Sequence, residues 1–299
     1  MLRTLHIDAG REMRGGQWQV LYLIRGLVEA GHSAILLARP GSPLLQMAQE
    51  QGLDAQPLRV ASLQKWCRKA DLIHAHDAHS HTLAVLSKRP LFVSRRVAFP
   101  VHGSFFSHWK YARPLIFLAV SKYVRGTLLA AGVPEEKIEV VYDGVPLPPE
   151  PEFKGRTRVL AMDSPDPRKG RSLIERTVKL SRVPVEFSSN LERDLADAQL
   201  FVYITDLEGL GSAALLAMAA GVPVLASRVG GLPEIVEDRC TGVLTENRPE
   251  EISTSLQRLI GDPELLLYLG RRARARVEER FTTSQMVQNT LRVYTKVLG

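Results

Sequence analysis

TDLEGLGSAALLAMAAGVPVLASRVGGLPEIVE, residues 205–237, joins a polar loop, a helix and a strand in one unit. Residues 201–204 are an apolar run of β type, Glu208-Gly209-Leu210-Gly211 is a flexible turn, and Ser212 is expected to open an Ala- and Leu-rich helix that stops at Gly221. Residues 222–226 read as the next strand. A second glycine turn, Gly230-Gly231, then precedes a new helix start marked by Pro233 and Glu234. A helix that begins beside glycines offers unpaired backbone N–H groups and the positive end of its dipole, a setting for a phosphate or a sugar hydroxyl. Glu208 in the first turn is placed to accept hydrogen bonds from hydroxyls. Two such turns at adjacent strand ends form a crevice, so the stretch reads as a nucleotide-binding element.

Working outward, the same alternation recurs along the chain. Residues 2–7, 33–38, 55–58, 72–76, 91–97, 115–120 and 138–141 read as strands separated by loops and helices. Pro146, Pro148, Pro149 and Pro151 make a stiff, extended linker, and residues 159–162 open a second series. The chain is therefore predicted to be α/β, with doubly wound domains at 1–145 and 158–280, a linker at 146–157 and a terminal helix within 281–299. Two loops stand out at helix starts. GREMRGGQ (10–17) sets Gly15 and Gly16 where backbone approaches an anion closely, or forms a tight turn only; its spacing is not G-x-G-x-x-G, which argues against a dinucleotide oxidoreductase. DSPDPRKG (163–170) puts Arg168 and Lys169 beside a helix start, as partners for a leaving diphosphate or as ordinary exposed charges.

The quoted residues EGLG, AMAAGVPVLAS and GGLPEIV, together with AVSKYVRGTLLAAGVPEEKIEVVYDGV (119–145), resemble the family 4 retaining glycosyltransferases, which have the GT-B fold and use nucleotide sugars. The resemblance implies two Rossmann-like domains facing across a cleft, with the C-terminal helix crossing back to the N-terminal domain. In that family the first Glu of an E-x7-E pair contacts the transferred sugar and the second holds the ribose hydroxyls. Here the first is Glu208 and the second position is Leu216. The Gly15-Gly16 pair then lies beside the donor diphosphate, and Lys169 binds it. Arg168 stands in for a family Arg whose place is taken by Ser164. A family His near the reacting carbon has its comparable place at Arg95-Arg96, with His102 six residues on, and both assignments stay open. The family normally has another β-α unit between 179 and 200, so this chain is shortened there.

The expected activity is metal-independent, retaining transfer of a hexose-type residue from a nucleoside diphosphate sugar, used as co-substrate without a cofactor, to a cell-envelope glycan or lipid-linked acceptor. Glu208, His102 and Asp77 form the expected catalytic set. Gly15, Gly16, Arg168, Lys169, Gly209, Leu210, Gly211, Leu216, Gly230 and Gly231 join Glu208 on the donor, and His79, Arg95 and Arg96 lie on the acceptor side. The alternative is a catalytically degenerate GT-B protein that serves as a binding or partner module, an option raised by Leu216 and the shortened segment.

At 299 residues the chain can bury a core in each domain. All eight histidines lie within the first 108 residues, four of them in LIHAHDAHSH (72–81). His74 and His76 alternate on a strand and project to one face, which is compatible with a metal site or with packing. A compact four-ligand zinc pattern is absent, so no metal is expected. Asp77 and His79, at the strand's carboxyl end, are expected to line the acceptor side. Cys67 and Cys240 are far apart and read as reduced structural thiols.

Between Asp77 and Glu135 there is no acidic residue, while Lys88, Arg89, Arg95, Arg96, Lys110, Arg113, Lys122 and Arg125 are all there, interleaved with aromatic side chains. The segment 88–125 is suited to an anionic membrane surface or a phosphorylated acceptor, or is a generally basic solvated face. Nucleic acid is not expected, since no helix-turn-helix or single-strand-binding signature accompanies the charge. No apolar run approaches the ~20 residues of a membrane span, and residues 1–7 read as a strand, not a signal peptide. The expected location is the cytoplasm, with peripheral contact at the inner face of the plasma membrane.

Overall fold

A computed structural model describes residues 1–101, 105–149 and 155–299. The chain divides into two compact units, Met1–Asp143 with Thr283–Gly299, and Gly144–Thr282.

The first unit is a seven-stranded parallel sheet built from β1 (Arg3–Asp8), β2 (Ser33–Ala38), β3 (Ala55–Pro57), β4 (Leu72–Ala75), β5 (Leu91–Arg95), β6 (Ile116–Ala119) and β7 (Ile138–Val140). Their spatial order is β3-β2-β1-β4-β5-β6-β7. Helices cover both faces, so the strands read as near-continuous buried runs. In β1 the alternation puts Leu5 and Ile7 on one face and Thr4, His6 and Asp8 on the other, all fully or almost fully buried. Register pairs His6 with His74 on β4. The order reverses direction between β1 and β4, so the loops after these two strands flank the switch point where open sheets bind ligands.

Local chemistry marks several boundaries. Ser42 and Ser121 accept from the backbone N–H groups of Leu45 and Val124, opening the helices Pro43–Glu50 and Lys122–Ala130. The terminal helix Thr283–Leu298 inserts Met286, Val287, Val293 and Tyr294 into this unit's core, beside Val20, Leu23, Ile24 and Leu27 of the helix Gly15–Glu29.

The second unit is a five-stranded parallel sheet of β8 (Arg158–Met162), β9 (Glu186–Ser188), β10 (Ala198–Tyr203), β11 (Val224–Ser227) and β12 (Gly242–Thr245), in the order β12-β11-β10-β8-β9. Its switch point lies between β8 and β10. The helix Ser212–Ala219 buries Ala214, Leu215, Ala217, Met218 and Ala219, then closes where the Gly221 and Val222 N–H groups donate to the carbonyls of Met218 and Ala217. Its N-cap is Gly211 in a left-handed conformation, and Ser212 opens the helix as its first residue, as expected. Glycine adopts this left-handed backbone (φ +109°) freely, and a Cβ at Gly211 would also lie 2.7 Å from Leu232 Cδ2.

Candidate functional site

In the second unit the loops leaving β8 and β10 meet at the switch point. Asp166 caps the short turn Pro167–Lys169 by accepting from Arg168 N, and the Arg168 carbonyl accepts from Asp206 N at 2.9 Å and Thr205 Oγ1 at 3.1 Å. That seam brings two side chains 39 residues apart together: Lys169 Nζ donates to Glu208 Oε2 at 2.6 Å. The pair is mostly enclosed, with side chains 23% and 16% exposed. A third group joins them. Tyr203, the last residue of β10, donates its hydroxyl to the same Oε2 at 2.6 Å, and Lys169 Nζ lies 3.2 Å from the Tyr203 oxygen. Glu208 Oε1 accepts from Gly209 N at 3.0 Å. Burial, reinforced by the Glu208 charge, pushes the Tyr203 hydroxyl well above the usual phenol range, so it remains a donor.

The second glycine turn packs its backbone directly on this loop. Gly230 has φ +56°, and a Cβ there would fall 1.9 Å from the Glu208 carbonyl oxygen, while Gly231 N donates to that oxygen at 3.1 Å. A side chain at Gly230 is thus excluded by space as well as by backbone conformation. Behind the loop a closed ring ties three strand ends together. Thr205 N donates to Ser227 Oγ at 2.9 Å, Ser227 Oγ donates to Asn247 Oδ1 at 2.6 Å, and Asn247 Nδ2 donates to the Thr205 carbonyl at 2.9 Å. The loop that carries Glu208 is therefore held from two sides. Arg168 turns its guanidinium to Asp166, at 2.7 Å, rather than to Glu208. Leu216 lines a separate cavity of 430 Å³ with Leu147, Leu195, Pro148 and Arg156.

In the first unit the switch point carries Asp77, Gly15 and Gly16. The Asp77 carboxylate accepts from the backbone N–H groups of Ala9, His79 and Ser80, fixing the loop after β1 to the start of the helix Ala78–Ala84. The carboxylate expected to act in catalysis is thus occupied as a helix cap and loop tie. His79 is exposed beside it. Gly15 and Gly16 are the first residues of their helix, and a Cβ on Gly16 would meet only Arg96 Cδ, at 3.8 Å. No protein atom therefore demands glycine there. Arg95 folds inward, donating to the Phe99 carbonyl at 2.6 Å and to the Tyr111 hydroxyl at 3.2 Å. His102 lies outside the described residues.

Arg96 ends a buried polar chain. It pairs with Asp143 at 3.0 Å and lies 3.3 Å from His76 Nδ1; His76 Nε2 is 2.9 Å from His6 Nδ1, and His6 Nε2 is 2.9 Å from Thr4 Oγ1. A guanidinium only donates, which sets the direction: His76 accepts on Nδ1 and donates from Nε2, His6 accepts and donates to Thr4, and Thr4 donates to the Ser33 carbonyl. His74 sits between Tyr294, at 2.6 Å, and Ser94, at 2.8 Å. The ligand nitrogens of His6, His74 and His76 lie within 4.8 Å of one another, a spacing a small cation accepts. Every ring nitrogen already has a protein partner, however, and one partner is itself a cation, which opposes a second positive charge. Burial and the Arg96 charge lower all three imidazoles, His6 to about 3, so the cluster is neutral.

The site thus unites Lys169, Glu208, Gly209, Leu210, Gly211, Gly230 and Gly231 in one unit. Tyr203, Thr205, Ser227 and Asn247 were missed because each reads as an ordinary strand or loop residue; only the alternation of Tyr203 with Phe201 on β10 hinted at a shared face.

Residues 13–147 match the family model Glycosyltransferase Family 4, and residues 183–276 match Glycosyl transferases group 1. Among curated proteins, the N-acetyl-alpha-D-glucosaminyl L-malate synthase of Bacillus anthracis is 34% identical over 110 residues, covering 36% of this chain and 29% of the relative. The MMP alpha-(1->4)-mannosyltransferase of Mycolicibacterium hassiacum is 35% identical over 107 residues, covering 35% of this chain and 26% of the relative. The aligned stretch therefore spans under a third of each of these relatives. Among solved structures, Anabaena HepE in complex with UDP superposes with a TM-score of 0.85 at 16% identity, covering 99% of this chain and 100% of that one. A glycosyltransferase from Rickettsia africae gives 0.82 at 15% identity, covering 99% and 98%. At these identities the likeness shows the fold, which is GT-B.

Proposed function

We propose that this chain, which belongs to glycosyltransferase family 4, transfers a sugar from a nucleoside diphosphate sugar to a cell-envelope glycan or lipid-linked acceptor, with retention at the anomeric carbon and without a metal. The observation that carries the reading is the Lys169–Glu208 pair at the second unit's switch point, backed by the Gly209–Gly211 turn and the Gly230-Gly231 clamp. Lys169 supplies an ammonium for the diphosphate as it leaves, and Arg168 adds a second cation on the same turn. Glu208 accepts from hydroxyls of the donor sugar. Solved neighbours bound to UDP support a nucleotide co-substrate. The test is incubation with a panel of UDP-, GDP-, ADP- and dTDP-sugars plus glycan and lipid acceptors, read by mass spectrometry with and without a chelator. Lys169→Ala is expected to remove most turnover, on the order of 10²-fold. Unchanged turnover in that variant refutes the assignment.

A second reading is a GT-B module that binds without transfer. It is favoured by Leu216, an apolar side chain where the family resemblance places a carboxylate; it lines a cavity shared with Leu147, Leu195, Arg156 and Glu192. Calorimetry with the same donors separates the two: binding with product supports the enzyme, and no binding supports the degenerate module.

The proposed location is the cytoplasmic face of a membrane. Among the described residues no helix is long and apolar enough to cross one. The helix Phe105–Ala112 exposes Phe106 and Trp109, and Leu86 is 76% exposed, in a segment without acidic residues from 78 to 134. That surface suits an anionic lipid interface.

A further inference from the structure

The group least explained by donor binding alone is the Tyr203 hydroxyl. Tyr203 is 4% exposed, and its ring is stacked on Phe201 with centroids 5.6 Å apart. Lys169 Nζ lies 5.4 Å from the ring centroid. The hydroxyl spends its proton on Glu208 Oε2, the same oxygen that Lys169 holds. With Oε1 on Gly209 N, both carboxylate oxygens have a donor even when Lys169 is discounted.

We infer that Tyr203 is a positioning residue for Glu208: it holds the carboxylate in place when an anionic ligand draws Lys169 away. This rests on the glycosyl-transfer reading above. The site has an internal conflict. An ammonium engaged by a carboxylate 2.6 Å away is a poorer partner for a diphosphate, and a carboxylate that loses that ammonium is free to rotate. The phenol resolves both sides of the conflict, because it donates to Oε2 and accepts no net charge when Lys169 moves. Without it, Glu208 either keeps Lys169 from the ligand or follows it out of position. Glu208 touches the donor and Tyr203 acts through Glu208, so the expected deficit appears in turnover and depends on Glu208 being a carboxylate.

The experiment is a double-mutant cycle of Tyr203→Phe and Glu208→Gln in the full chain, with turnover of the preferred nucleotide sugar read by mass spectrometry. Phenylalanine keeps the ring, the Phe201 stack and the 5.4 Å approach of Lys169 Nζ to the ring centroid, and removes the hydroxyl with its bonds to Glu208 and Lys169. A thermal melt monitors folding of each variant. Tyr203→Phe is expected to lower kcat about tenfold, the scale of one hydrogen bond to a charged group. In the Glu208→Gln background the same change is expected to cost less than about twofold, since the group it positions has lost its charge. A structural role would lower turnover equally in both backgrounds, and that result overturns the inference, as does a Tyr203→Phe protein with wild-type kcat. If the wild type binds none of UDP, GDP, ADP or dTDP by calorimetry, the glycosyl-transfer reading itself falls. The inference falls separately if the wild type turns over and the cycle is additive.

Discussion

Lowering the pH from 7.5 to 5.5 is expected to remove a large part of the first unit's stability, and the cause is the imidazoles it buries. His6, His74, His76 and His81 are each 6% exposed or less. Burial depresses His6 and His81 to about 3; His74 and His76 fall well below the usual range for burial, neighbouring imidazoles and Arg96. In the unfolded chain each returns to about 6.5. A histidine held neutral in the fold contributes stability that is complete above that unfolded value and is lost as protons bind the unfolded state below it. At pH 5.5 the loss is about 1.4 kcal/mol per ring, so the four together cost about 5 to 6 kcal/mol, a large part of a typical domain's stability. Carboxylates whose affinity for protons is lowered in the fold, Asp71, Asp166, Asp194 and Asp238, respond only near and below pH 4 and leave this window clear. Asp8 has the opposite sign: burial and the Asp77 charge raise it, so it gains stability on acidification, but as one group against four.

The assay is urea unfolding at pH 7.5, 6.5 and 5.5 followed by tryptophan emission. Trp18, Trp66 and Trp109 are the chain's three tryptophans and all belong to the first unit, so the signal reports that unit alone. A loss smaller than about 1.4 kcal/mol, the value of a single ring, refutes the reasoning, since it means the folded cluster accepts protons freely.

Other outcomes follow from single contacts. Tyr294→Phe strands His74 Nδ1, whose partner now lies at 2.6 Å, and is expected to cost about 1 to 3 kcal/mol in the same urea assay; a change within about 0.5 kcal/mol counts against the bond. Gly230→Ala puts a methyl 1.9 Å from the Glu208 carbonyl and is expected to destabilise the second unit by about 2 kcal/mol or more while weakening nucleotide binding; an unchanged melt and an unchanged calorimetric Kd would show that the clamp is loose. Cosedimentation with phosphatidylglycerol vesicles is expected for the wild type at low salt, and to drop for a Phe106→Ser, Trp109→Ser double variant and at about 0.5 M salt; equal binding by the variant removes those side chains from the interface.

The order of elements was legible along the chain, because strand and helix periods and glycine stops such as Gly221 are local signals that need no partner from elsewhere. The residue types of the Glu208 turn, the paired glycines and Lys169 were legible for the same reason: each lies beside a strand end. Who meets whom was decided only by the tertiary structure. His6 joins His74 and His76 because β1 and β4, some 70 residues apart, are sheet neighbours in one register, and that register is a property of the assembled sheet. That the Asp77 carboxylate ties the loop after β1 to its own helix was set by the tertiary structure, which brought Ala9 N to it as a third backbone donor beside His79 N and Ser80 N. Tyr203 read as one more buried strand residue until strand order set β8 beside β10 and brought Lys169 to its hydroxyl. Periodicity records which face a side chain takes, whereas its hydrogen-bond partner depends on which distant strand the fold places next to it.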